Sequence, residues 1–253
     1  MSVKSPSLGN RSSQLGPFSL FMGGRKLVAL VGLIGCVAIP VRAGVWSEAP
    51  LVASPAAAAD ASSGISASKI YTHAVDWATD DGGAVVNGVT LGEGSAVGSN
   101  YTLTGTNFVF QNNPSNTFDS ASGMFDLNDD FLFTGQQSPI QTLTLSGLTG
   151  GTPYIMTTYL SQGWNGAQQI LSADDPGFTT LTTDRGEPGN PKMISYSYML
   201  DPGDTDVVFT FDAVNDADGF HHYAFTNEVV PEPMGLGLLA MGAIGLVARR
   251  RRG

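Results

Sequence analysis

An antiparallel β-sandwich is the fold class this sequence predicts, on three observations. From Ile70 to Glu228, short runs rich in Val, Thr, Tyr and Phe alternate with clusters of Gly, Asn, Asp and Pro. Thr142, Thr144 and Ser146 alternate with Leu143 and Leu145, and Tyr196, Tyr198, Phe209 and Phe211 keep the same period of two, the mark of half-buried strands. No long helical pattern occurs between Gly44 and Val230. Many short strands joined by evenly spaced turns predict an all-β sandwich of the jelly-roll type.

Taken in order, residues 1–43 read as an export signal. Arg25-Lys26 precede an apolar run, Leu27 to Ile39, and Val41 and Ala43 supply the small residues of a cleavage site after Ala43. Met22 is an alternative start that would give a signal of ordinary length. Leu33-Ile34-Gly35-Cys36 also fits a lipidation box, although the apolar run continues past Cys36. Residues 44–68, with Ala56-Ala57-Ala58-Ala59 among Ser and Pro, read as a flexible linker. The sandwich then occupies 69–229. Its candidate strands are Ile70–Trp77, Ala84–Leu91, Tyr101–Thr104, Phe108–Gln111, Gly123–Asp126, Phe131–Thr134 and Gln141–Leu145. They continue as Tyr154–Leu160, Gln168–Leu171, Phe178–Thr182, Met193–Leu200, Val207–Asp212 and Tyr223–Glu228.

Between Gly44 and Val230 the only basic residues are Lys69, Arg185 and Lys192, against 21 acids, so this part is near −18 while the whole chain is −10. Such a surface repels nucleic-acid phosphates and anionic lipid. Cysteine is absent there, which excludes a disulfide framework and thiolate chemistry.

Three groups of residues are candidates for chemistry. Trp164, between glycines and beside Gln162 and Asn165, has the composition of an exposed stacking platform for a sugar ring. Its plainer alternative is a loop tryptophan folded over the core. Asp212, Asn215, Asp216 and Asp218, with Gly219, form an acidic turn that could supply oxygen ligands to calcium. The same residues are equally those of an ordinary turn. Asn128-Asp129-Asp130 and Asp80-Asp81-Gly82 are weaker versions. His221 and His222 are strand neighbours and point to opposite faces, so with His73 they read as structural. No serine elbow, Walker loop, dinucleotide fingerprint or zinc spacing occurs. No resident cofactor is called for beyond the candidate calcium. Carboxylate pairs are too numerous to single out a glycosidase pair.

The last 24 residues carry the most specific pattern. Val230-Pro231-Glu232-Pro233 is followed by the uncharged run Met234 to Ala248 and then by Arg249, Arg250, Arg251 and Arg252. As a helix, 234–248 would span roughly 22 Å, short of the bilayer core unless the arginines snorkel. The arginines act as a cytoplasmic stop under the positive-inside rule. This order resembles the PEP-CTERM sorting signal of bacterial envelope proteins. The resemblance implies an exosortase-like processing partner, a transmembrane helix at 234–248 and cleavage near Pro231-Glu232-Pro233. Retention as a simple anchor is the alternative.

Leu143 to Tyr154 looks like the strand–turn–strand corner of fibronectin-like and galactose-binding-like sandwiches, with Leu148 plugging the corner and Tyr154 beginning the next strand. Phe220 to Glu228 looks like the last strand of such jelly rolls. The expectation is therefore an exported, non-enzymatic cell-surface or extracellular-matrix protein that binds no nucleic acid. The alternative is a carbohydrate-binding module for a polysaccharide, with or without calcium. A third, an extracellular hydrolase, ranks below both.

Overall fold

Every second residue of the main strands is apolar and buried, and this alternation positions all that follows. The computed structural model describes residues 44–77, 82–113, 116–134, 140–160, 168–174, 179–184, 190–214 and 220–231, all within the Pro40–Gly253 unit. In chain order the elements are β1 (Val45–Pro50), α1 (Ala56–Ser62), β2 (Ile70–Asp76), β3 (Val85–Val86), β4 (Val89–Thr90), β5 (Gly92–Glu93), β6 (Tyr101–Thr104) and β7 (Phe108–Asn112). There follow α2 (Gly123–Asp126), β8 (Asp130–Thr134), β9 (Gln141–Leu145), β10 (Pro153–Leu160), β11 (Gln168–Ala173) and β12 (Thr180–Asp184). The described elements end with β13 (Lys192–Met199), β14 (Val207–Ala213), β15 (His221–His222) and β16 (Ala224–Val229).

Two sheets face each other. One has the order β1-β13-β10-β16-β2-β5, the other β12-β11-β14-β9-β6. A smaller sheet, β15-β8-β7, and the β3-β4 hairpin complete the set. Pairing is antiparallel except where β5 adds to β2 in parallel over two residues. Tyr154, Met156, Ile194, Tyr196, Tyr198 and Phe225 from the first sheet meet Leu103, Leu143, Leu171, Phe209 and Phe211 from the second. A second, smaller core lies on the outer face of the first sheet. There Ala59, Ile65, Val86, Phe118, Met124 and Leu127 cover Tyr159 and Ala224. The predicted antiparallel sandwich is thus present, with a helical cover that the sequence reading lacked.

The reading of 44–68 as a flexible linker is corrected. Val45 to Pro50 pairs residue by residue with β13, and the four alanines, the best helix formers, begin α1. Trp46 sets the arrangement: its ring lies 4.4 Å from that of Tyr196, and its Nε1 donates to the Thr179 carbonyl at 3.0 Å. Replacing Trp46 by alanine is expected to cost about 2 kcal/mol, measured by urea unfolding, because a half-buried ring and a hydrogen bond between the sheets are both lost. A linker would register no change.

Two strand assignments are also corrected. Gly123–Asp126 is the short helix α2, capped by the Ser122 hydroxyl accepting from Phe125 N at 3.1 Å. A Cβ at Gly123 would meet the Val85 carbonyl oxygen at 2.0 Å, so the helix can approach β3 only through glycine. Ala84–Leu91 is not one strand but a hairpin, turning at Asn87 (φ 50°) and Gly88 (φ 77°), the pair that a two-residue primed turn demands. The corner after β9 forms as expected. Leu148 is buried in the main core, Tyr154 lies in β10, and the Tyr154 hydroxyl accepts from Thr149 N at 2.9 Å.

The expected signal segment 1–43 and the expected tail helix 234–248 lie outside the described residues. Among the described residues no helix is long and apolar enough to cross a membrane.

Candidate functional site

The outer face of the first sheet is only half covered by α1 and α2, and the uncovered half is polar. In β13 the side chains of Ile194, Tyr196 and Tyr198 turn inward, which leaves Met193, Ser195 and Ser197 outward. In β10 the same pleat sends Ile155, Thr157 and Tyr159 outward. The registers place Ser47 opposite Ser195, Ser195 opposite Thr157, and Thr157 opposite Thr226. Four hydroxyls therefore stand in one row across β1, β13, β10 and β16.

This row floors a cleft of about 210 Å³ whose rim is formed by Ser63, Gly64, Lys69, Met193, Ser197 and Glu228. The floor descends from exposed Ser47 to Thr157 (8% exposed) and Thr226 (3%). The Thr157 and Ser195 hydroxyls lie 2.9 Å apart. Deeper, the Tyr159 hydroxyl donates to the Ser63 carbonyl at 3.1 Å and accepts from Thr226. Burial pushes the Tyr159 phenol upward, so it stays a neutral donor at any physiological pH. At the β16 side, Lys69 Nζ meets Glu228 Oε2 at 2.7 Å, so among the described residues the one cation and the one anion of the lining cancel. Among the described residues no aromatic face opens into the cleft, since Tyr159 is buried. The site can offer a ligand hydroxyl donors and acceptors, a neutral field, and apolar flanks from Ile155 and Met193.

The sequence reading missed this face. Its signal was the alternation Ser195-Tyr196-Ser197-Tyr198, in which an inward tyrosine strand necessarily presents an outward serine strand. Ser47 was hidden by the linker reading.

Of the residues singled out from sequence, Gln162, Trp164 and Asn165 lie outside the described residues. So do Asn215, Asp216 and Asp218 of the acidic turn, Asp80 and Asp81, and Glu232, Pro233 and the four terminal arginines. Asp212 is described: it stands near the end of β14 opposite Ile170. Among the described residues no group of three or more His, Cys, Asp or Glu side chains could hold a metal ion.

All three histidines are buried. His73 Nε2 lies 2.9 Å from the Asn100 carbonyl, which can only accept, so that nitrogen carries the proton. Burial lowers the His73 pKa, partly opposed by this bond. His221 stacks on Phe131 at 4.4 Å, whereas His222 turns the other way, against Phe220 at 4.6 Å and Phe211 at 4.9 Å. His222 Nε2 bonds Gln141 Oε1, and Gln141 Nε2 donates to Thr134 Oγ1 at 2.6 Å. Burial first, and then His221, hold the His222 pKa down at about 3.

A second groove of about 350 Å³ runs beside the start of β10, lined by Val45, Pro153, Ile155, Met199 and Val230 among others. It is mostly apolar, and among the described residues it carries no charged group to orient a ligand.

No family model and no curated protein matches this chain. Solved structures give partial likenesses. The tandem CBM22-1–CBM22-2 domain of Paenibacillus barcinonensis Xyn10C is 11% identical over 68% of this chain and 49% of that one, with a TM-score of 0.39. The xylan-binding CBM22-1 domain of the same protein is 10% identical over 52% of this chain and 86% of that one, with a TM-score of 0.35. The enzymatically active domain of bacteriophage CBA120 tailspike protein 4 is 13% identical over 52% of this chain, with a TM-score of 0.34, and this chain spans 20% of its length.

Proposed function

We propose that this chain is an exported, non-enzymatic surface protein whose jelly-roll-like sandwich binds a neutral polysaccharide in the hydroxyl-floored cleft. The observation that carries the reading is the row Ser47–Ser195–Thr157–Thr226. Serine and threonine hydroxyls donate and accept at once, as sugar hydroxyls do, and the paired Lys69 and Glu228 leave no net charge to select a charged ligand. Hydrolysis of a glycoside takes two carboxyl groups flanking the bond, and among the described residues the cleft lining supplies one, already paired with lysine. Delivery rests on the N-terminal signal and the PEP-CTERM-like tail, with an exosortase-like enzyme as processing partner. Intact-mass measurement tests that part: a mature protein still carrying Arg249–Arg252 would contradict processing.

The binding part is tested on a panel of neutral and acidic polysaccharides by affinity electrophoresis. Ser195→Tyr fills the middle of the floor from an outward position and should leave the fold intact. It is expected to weaken binding at least about tenfold while the thermal midpoint stays within a few degrees. Unchanged binding in Ser195→Tyr, with loss in Trp164→Ala, would move the site to the 161–167 segment.

A further inference from the structure

The cleft has two different ends, and building on the saccharide reading, we infer that it takes the terminus of a glycan chain rather than its interior. At the outer end β1 is the edge strand of its sheet, and Ser47 stands exposed beside open solvent. At the inner end the sheet continues into β2, yet no β2 residue lines the cleft.

The chain between α1 and β2 covers it. Ser66 N donates to the Tyr71 hydroxyl at 3.0 Å, Ile65 is buried in the second core, and Asn87 Nδ2 ties down the Ile65 carbonyl at 3.0 Å. The Tyr159 bond to Ser63 pins the start of the same connection, and the Lys69–Glu228 pair closes its end. This connection is held along its length, so it is a wall and not a flap. A chain passing straight through would collide with it, whereas a chain end can rest against it.

From Ser47 to Thr226 are three strand spacings, about 14 Å, which matches two to three pyranose units laid across the strands. The terminal sugar lies over Thr157 and Thr226 against Lys69 and Glu228, the next over Ser195, and the chain leaves over Ser47. The terminal sugar then meets two hydroxyl-bearing strands and each later one meets one.

The test uses the full-length protein and linear gluco-, galacto-, manno- and xylo-oligosaccharides of one to six units, with cyclic glucans as end-free probes, by titration calorimetry. Affinity in the recognised series is expected to rise at least about tenfold from one unit to three and then level off. Cyclic glucans should stay at least about tenfold weaker than linear trimers. Capping the reducing or the non-reducing end then shows which terminus is held. Cyclic probes binding as well as linear ones, or affinity still climbing from four to six units, would overturn chain-end recognition while leaving saccharide binding in place. Lys69→Ala should narrow the gap between linear and cyclic probes, and an unchanged gap would equally overturn the wall. Binding of none of the linear series would remove the saccharide reading itself, and chain-end recognition with it.

Discussion

Lowering the pH from 7 to 4 is expected to remove about 3 kcal/mol of stability through His222 alone. The pKa of this imidazole is about 3 in the fold, against 6.5 when exposed. Between those values the unfolded chain binds a proton that the folded chain refuses, so stability rises with pH across the window and is lost as pH falls from about 6.5 toward 3. The Nε2–H already donates to Gln141 Oε1, so the added proton goes to Nδ1 and the Gln141 bond stays, but the charge falls on a buried group pressed against Phe211, Phe220 and Trp77. His73, lowered in the same direction, adds to the loss. The acidic surface works against it, because protonating crowded carboxylates relieves repulsion. His222→Gln separates the terms. The variant should be less stable at pH 7 by about 1–2 kcal/mol, through the altered network, but should fall less steeply toward pH 4. Urea midpoints at the two pH values measure both. Parallel falls in the two proteins would place the acid sensitivity in other groups.

How far the sequence could be read follows from what each signal depends on. Strands packed on one face announce themselves, because the pleat writes burial into every second residue; β9, β13 and β14 were visible for that reason. The corner at Leu148 and Tyr154 was visible because one short stretch contains both partners. Residues 44–68 were misread because alanine and serine carry little periodicity, and their place is set by Trp46, Leu51, Ala59 and Ile65 meeting distant residues. The same limit hid the candidate site. Ser47, Thr157, Ser195 and Thr226 are ordinary strand residues whose meaning lies in the register of four strands. Register is a property of pairing, and no local pattern states which strand will lie beside which. The acidic turn and Trp164 drew attention because unusual composition is local, and local signals are what a single sequence shows best.

Trp77→Ala is expected to cost about 3–5 kcal/mol, a large part of the stability of an ordinary domain. Trp77 is 1% exposed and follows directly on β2. Its ring packs at 5.5 Å on Phe225 of β16, at 5.6 Å edge-on to Tyr101 of β6 and at 6.2 Å from His222 of β15. Its backbone N–H donates to the Tyr223 carbonyl at 2.9 Å. Elements of three different sheets thus converge on one side chain, and no single neighbour can close the cavity its removal would leave. Trp77→Phe, which keeps most of the volume, should cost clearly less. The cavity would border His222, so water entering it would return the imidazole toward its ordinary pKa and flatten the acid sensitivity. Trp77→Ala and His222→Gln should therefore be non-additive, with an interaction energy of about 1 kcal/mol or more in a double-mutant cycle at pH 5. Strict additivity, or a loss below about 1 kcal/mol for Trp77→Ala alone, would show that the ring is not the joint on which these sheets close.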